Sequence, residues 1–63
     1  MQGDELRALR KQMGMTQGAL ATELGLTTTF IGMMERGEKA IERRTEMAVR
    51  YLLLMRTPTD RVG

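Results

Sequence analysis

The chain has 63 residues, a formal net charge of +2, and neither cysteine nor histidine. A chain this short supports one core and one domain, and folding removes only about 60% of the surface that the unfolded chain exposes. The missing residue types exclude disulfides, thiol nucleophiles, imidazole bases and the zinc patterns built from Cys and His, so stability must come from helix packing or from a partner subunit.

In chain order, Leu6, Leu9 and Met13 recur at helical offsets, and Asp4 and Glu5 place negative charge at the positive end of the helix dipole. Gly14 stops this first helix. Thr16 is placed to cap a second helix over roughly residues 17 to 24, with Leu20 and Leu24 on its buried side. Gly25 supplies a left-handed backbone position. Leu26 follows, and Thr27 is suited to cap a third helix that bears Ile31 and Met34 and runs to about Arg36. After Gly37 and a charged connection, the segment from about Ile41 to Arg56 lacks Gly and Pro and ends before Pro58, which reads as a long fourth helix. No alternation of apolar and polar residues marks a strand. The expected architecture is all-α, a compact four- or five-helix domain over residues 1–56 with a flexible tail over 57–63.

Charge placement says more than net charge. Arg36, Lys39, Arg43 and Arg44 lie close together, with Glu35, Glu38 and Glu42 interspersed, a pattern that fits either a solvated mixed-charge face or an electrostatic footprint for nucleic acid. No basic-then-apolar targeting pattern is visible. The longest apolar run, Tyr51 to Met55, is far below the ~20 residues a membrane span needs, so a soluble, cytoplasmic protein without a membrane partner is expected.

The very short turn around Gly25 forces the second and third helices to cross steeply, and the third then projects outward. Close crossing requires a small residue near the contact, and Ala21 stands four positions before Gly25. Leu20, Leu24, Leu26, Ile31 and Met34 complete a small shared core, while Met13, Met34, Met47 and Met55 read as adaptable fillers of that core.

Leu6-Arg7-Ala8-Leu9-Arg10, Met15-Thr16-Gln17, Leu20-Ala21, Leu24-Gly25-Leu26, Phe30-Ile31 and Glu35-Arg36-Gly37 together resemble the lambdoid-phage repressor and Cro family, the xenobiotic-response-element type of helix-turn-helix. The resemblance covers about residues 5 to 52 and has no insertion before Gly37. It implies sequence-specific binding of double-stranded DNA by a small homodimeric repressor or autorepressor of a bacterial or phage operon, with no enzymatic activity, cofactor, metal or small-molecule ligand.

The resemblance also implies roles for individual residues. Gln17 would open the second helix against the DNA backbone and steady the recognition helix. Thr27 would touch phosphate or serve as the cap alone, and Thr28 and Thr29 would meet bases, their hydroxyls donating or accepting and their methyls touching a thymine methyl. Gly32 and Met33 are expected to face the groove one turn on. Gly32 departs from the Ser that commonly stands there, through either close backbone approach or drift, and Met33 offers only apolar contact. Arg36, Lys39, Arg43 and Arg44 would clamp phosphates. Arg10, on the apolar side of the first helix, would form a structural ion pair with Glu35.

The fourth helix carries more apolar surface than one small domain buries. Ala48 and Leu52, with Met47, are expected to complete the monomer core, leaving Tyr51, Leu54 and Met55 to meet their copies across a two-fold axis. Such a dimer sets two recognition helices about 34 Å apart and calls for a near-palindromic operator. The same scaffold also serves controller-type activators, antitoxins and anti-CRISPR-associated autoregulators. A protein-interaction module that has lost DNA binding is a further alternative, separated from the first reading by whether the four cations matter for binding.

Overall fold

The computed structural model describes residues 1–56, so the tail expected over 57–63 lies outside the described residues. Four α-helices follow one another: α1 (Gly3–Gln12), α2 (Gln17–Leu24), α3 (Thr28–Glu35) and α4 (Arg43–Arg56). Among the described residues there is no strand.

The helix ends are set by local chemistry. The Thr16 and Thr27 hydroxyls accept from the N–H groups of Ala19 and Phe30, at 3.0 and 3.1 Å, and each satisfies a first-turn donor that has no helical partner. At the other ends, α1, α2 and α3 each close with a glycine at positive φ, Gly14, Gly25 and Gly37. At Gly25 the N–H of Leu26 reaches back to the Ala21 carbonyl (2.8 Å), and at Gly37 the N–H of Glu38 reaches the Met33 carbonyl (2.8 Å). This is the Schellman geometry, which satisfies the last carbonyls and requires a backbone conformation that side chains with a Cβ resist. α4 begins two residues later than expected. Its first turn bonds the Glu46 N–H to the Glu42 carbonyl, while Ile41 packs its side chain against the core from outside the helix.

Leu6, Leu20, Ile31, Met34 and Val49 are completely or almost completely buried, so every helix contributes to one core, joined by Met15 and Ala21. Leu9, Met13, Leu24, Leu26, Phe30 and Leu52 pack around it, half-buried. α3 lies in the crook of α1 and α2, and α4 packs on α2.

The expected burial of Met47 is wrong, because it is 60% exposed. α4 turns Val49 inward, with Thr45, Ala48 and Leu52 half-buried beside it. At 100° per residue Met47 stands about 200° from Val49, so a helix that buries one must expose the other. Met55 is exposed as well, and of the four methionines expected to fill the core only Met34 and, partly, Met13 do so.

α1 and α3 approach closely at Gly3. A Cβ there would stand 2.4 Å from the Met34 carbonyl oxygen and 2.6 Å from that of Glu35, both backbone atoms that cannot swing aside. A Cβ at Gly18 would meet only the Thr28 and Thr16 hydroxyls, at 3.5 and 3.9 Å. Gly3→Ala is therefore expected to cost about 1 to 3 kcal/mol by forcing the two helices apart. Gly18→Ala should instead add about 0.4 to 1 kcal/mol by restricting the unfolded chain. Urea denaturation of the two variants checks this, and equal effects would contradict the packing described.

Candidate nucleic-acid interface

The outer face of α3 begins with three consecutive exposed threonines, Thr27, Thr28 and Thr29. Thr27 is the helix cap, with its oxygen occupied by the Phe30 N–H and its hydroxyl proton left to donate. One turn on, Met33 is half-buried. Gly32 is buried rather than open to a groove, because two long side chains fold over the gap it leaves. A Cβ there would lie 3.1 Å from Nη1 of Arg36 and 3.7 Å from the amide nitrogen and oxygen of Gln17.

Behind this face sits an ion-pair node. Nε and Nη2 of Arg10 donate to the two carboxylate oxygens of Glu35 at 2.5 and 3.1 Å, and Nη1 donates to the Met15 carbonyl at 3.0 Å. The Glu35 side chain is 1% exposed and that of Arg10 11%. Two further groups converge on Glu35 that sequence reasoning had not joined to it. Gln17 donates its amide to Oε1 at 3.1 Å, and Nε of Arg7 lies 3.5 Å from the same oxygen. Three chain segments therefore meet at one carboxylate, α1, the first residue of α2 and the last of α3, and Arg10 ties the turn after α1 to the same node through the Met15 carbonyl. Burial pushes the Glu35 carboxyl up, but the hydrogen bonds from Arg10, Gln17 and Arg7 and the Arg10 charge outweigh it and hold it below the usual carboxylate range. The hydrogen bond to Glu35 correspondingly raises the Arg10 guanidinium above its ordinary value.

The four cations beyond α3 divide into two pairs. Arg36 donates from Nε and Nη2 to the Glu38 carboxylate at 2.8 and 3.3 Å, and Arg44 from Nε to Glu42 at 3.1 Å. Lys39 and Arg43 are exposed and have no ion-pair partner among the described residues. On exposed surface the single bond of the Arg44–Glu42 pair holds its arginine weakly, whereas the two-bond fork on Glu38 orients the Arg36 guanidinium; all four cations remain accessible to an anion.

α4 presents a separate feature. Met47, Tyr51, Leu54 and Met55 are 60%, 60%, 67% and 63% exposed and recur at intervals of 4, 3 and 1 residues, which puts them on one stripe. Arg50, beside the stripe, bonds Glu46 at 3.1 Å and Glu5 of α1 at 3.2 Å, and Arg56 bonds Glu23 of α2 at 3.2 Å. The helix is thus fastened to the domain at its middle and at its C-terminal end while its apolar stripe remains exposed. Among the described residues no helix is long and apolar enough to cross a membrane.

A family model described as helix-turn-helix matches residues 6–45, from the core leucine of α1 through the start of α4. The chain is also 50% identical over 36 residues to a protein of Pyrobaculum aerophilum described as an HTH-type transcriptional regulatory protein. That alignment covers 57% of this chain and 14% of the relative, so the chain corresponds to a small part of that protein's length. No solved structure matches the chain significantly. The matched segment contains the packed α2–α3 pair, both threonine caps and the Arg10–Glu35 node, and the chain belongs to the helix-turn-helix family of the xenobiotic-response-element type.

Proposed function

We propose that the chain binds a specific sequence in double-stranded DNA as a homodimer and represses transcription from a near-palindromic operator. The observation that carries this reading is the exposed threonine row at the start of α3, on a helix packed against α1 and α2 and followed in the chain by Lys39 and Arg43, two exposed cations without ion-pair partners among the described residues. Thr28, Thr29 and Met33 face base edges in the major groove, while Gly32 lies beneath the Arg36 and Gln17 side chains. Gln17, Thr27, Lys39, Arg43 and Arg44 meet phosphates and fix the register. The stripe of Tyr51, Leu54 and Met55, now extended by Met47, joins two copies about one DNA turn apart. Repression by occlusion of the promoter needs no further group.

Other roles on the scaffold receive less support. Activation through an acidic patch on α2 would rest on Glu23, whose carboxylate is already bonded to Arg56. The apolar stripe of α4 also fits a protein-interaction module without DNA binding, and one experiment separates the two. Selection from a random DNA pool should enrich a palindrome, and affinity for the winner should fall steeply between about 50 and 200 mM salt. In an Arg43→Ala, Arg44→Ala double variant the slope of log affinity against log salt should shrink by about 0.9 for each phosphate contact removed. Enrichment of no sequence would transfer the functional weight to α4 and a protein partner.

A further inference from the structure

We infer that Arg36 reads a guanine, and that Gly32 is the seat that lets it do so. This rests on the DNA-binding reading and assigns one base contact within it. Thr28, Gly32 and Arg36 follow one another at intervals of four along α3, on the side where α2 presents its first two residues. The Gly18 Cα faces the Thr28 hydroxyl, and the Gln17 amide lies over Gly32. A side chain at position 32 would fill the middle of this row. Its absence lets the Arg36 guanidinium fold back along the helix until Nη1 occupies the place the side chain would have taken, 3.1 Å from where its Cβ would stand. The recognition helix thus carries at its centre the end group of a residue one turn later.

The guanidinium is also held in a particular orientation. Glu38 accepts from Nε and from Nη2, the side-on fork of the group, at 2.8 and 3.3 Å. The end-on fork, made by Nη1 and the second hydrogen of Nη2, is left free. Two parallel N–H donors match the O6 and N7 acceptors that guanine alone presents in the major groove. Glu38 therefore acts as a buttress: it fixes the plane of the fork and lowers the entropy lost on contact. The rest of α3 has no Arg, Asn or Gln to provide a paired hydrogen bond, so this contact supplies the largest single share of base discrimination.

A phosphate clamp and a base reader at position 36 predict different binding tables. The operator enriched by the unaltered protein is varied one base pair at a time, and affinities are measured for that protein, Arg36→Ala, Arg36→Lys and Gly32→Ser, each checked for helical content by circular dichroism. The unaltered protein should lose about 10-fold to 100-fold when one G·C pair per half-site is replaced. Arg36→Ala should bind with that position flat and the preferences at other positions kept, while Arg36→Lys, which can reach O6 and N7 without the planar fork, should keep only part of the preference. Gly32→Ser, which keeps the arginine but takes its seat, should lose at least half of the discrimination at the same pair. A uniform loss across all sequences in Arg36→Ala, restored by Arg36→Lys, would make position 36 a phosphate contact and overturn the inference. Retention of the G·C preference in Gly32→Ser would overturn the role of the glycine. If the unaltered protein enriches no sequence, the DNA-binding reading itself fails, an outcome distinct from either.

Discussion

Glu35→Ala is expected to lower the unfolding free energy by about 3 to 5 kcal/mol, because it leaves Arg10 charged and nearly buried with two of its three hydrogen bonds gone. For a domain of this size that approaches the whole stability, so the variant should be largely unfolded at 37 °C. Arg10→Ala should cost a similar amount, and the double variant less than the sum of the two, since removing both charges leaves neither stranded. The pair also sets the response to acid. Glu35 titrates below the ordinary carboxylate range when folded and within that range when unfolded. Its contribution is therefore fully present above the unfolded value, and declines as the pH falls until the depressed folded value has been passed. Urea midpoints measured from neutral pH downward should drop steeply in the unaltered protein. In Glu35→Gln, which keeps an acceptor for Arg10 but has no charge to titrate, the drop should be shallower. Equal acid slopes would show that Glu35 is not the group being protonated.

The second large effect concerns assembly. A two-fold interface contains each substitution twice, so a residue worth about 2 kcal/mol at its centre weakens the dimer by about 4 kcal/mol, roughly a thousand-fold. Leu54→Asp should shift the chain from dimer to monomer in sedimentation, and operator affinity should fall at least 100-fold as the two recognition helices lose their fixed separation. Thermal stability measured on the monomer should hardly change, because Leu54 is 67% exposed and outside the monomer core. A monomer at about 100 µM in the unaltered protein would remove the dimer from the proposed function, and a large loss of monomer stability in the variant would mean that the stripe packs within the chain.

What the sequence discloses about this fold is concentrated where the determinants are local. Gly14, Gly25 and Gly37 mark three helix ends, and Thr16 and Thr27 mark two beginnings, because each acts on backbone groups within a few residues of itself. Leu20, Ile31 and Met34 are legible as core from their period. The rotation of α4 is not legible in the same way. From Met47 to Met55 nearly every residue is apolar, so no polar side marks the exposed face, and the choice of Val49 over Met47 is made by how the helix packs on α2 and the shared core. The convergence of Gln17 and Arg7 on Glu35 was likewise hidden, since it joins residues 18 and 28 positions from the acid. One signal for Gln17 was available: it opens α2 beside a buried carboxylate with more acceptor capacity than Arg10 alone can fill. The close approach at Gly3 left no trace at all, because a glycine in the first turn of a helix reads as ordinary variation.

The repeated glycine closure has a kinetic meaning. Each of the first three helices carries its own stop within the segment it terminates, so the ends are fixed by contacts four or five residues apart and need no tertiary structure to be chosen. The conformational search then reduces to docking short rods whose lengths are already decided, the regime in which helical proteins fold within microseconds to milliseconds. The Arg10–Glu35 bond, spanning 25 positions, belongs to the closing stage of that docking. It is expected to act as a latch: in folding and unfolding kinetics, Glu35→Ala should leave the rate of folding nearly unchanged and shorten the lifetime of the folded chain.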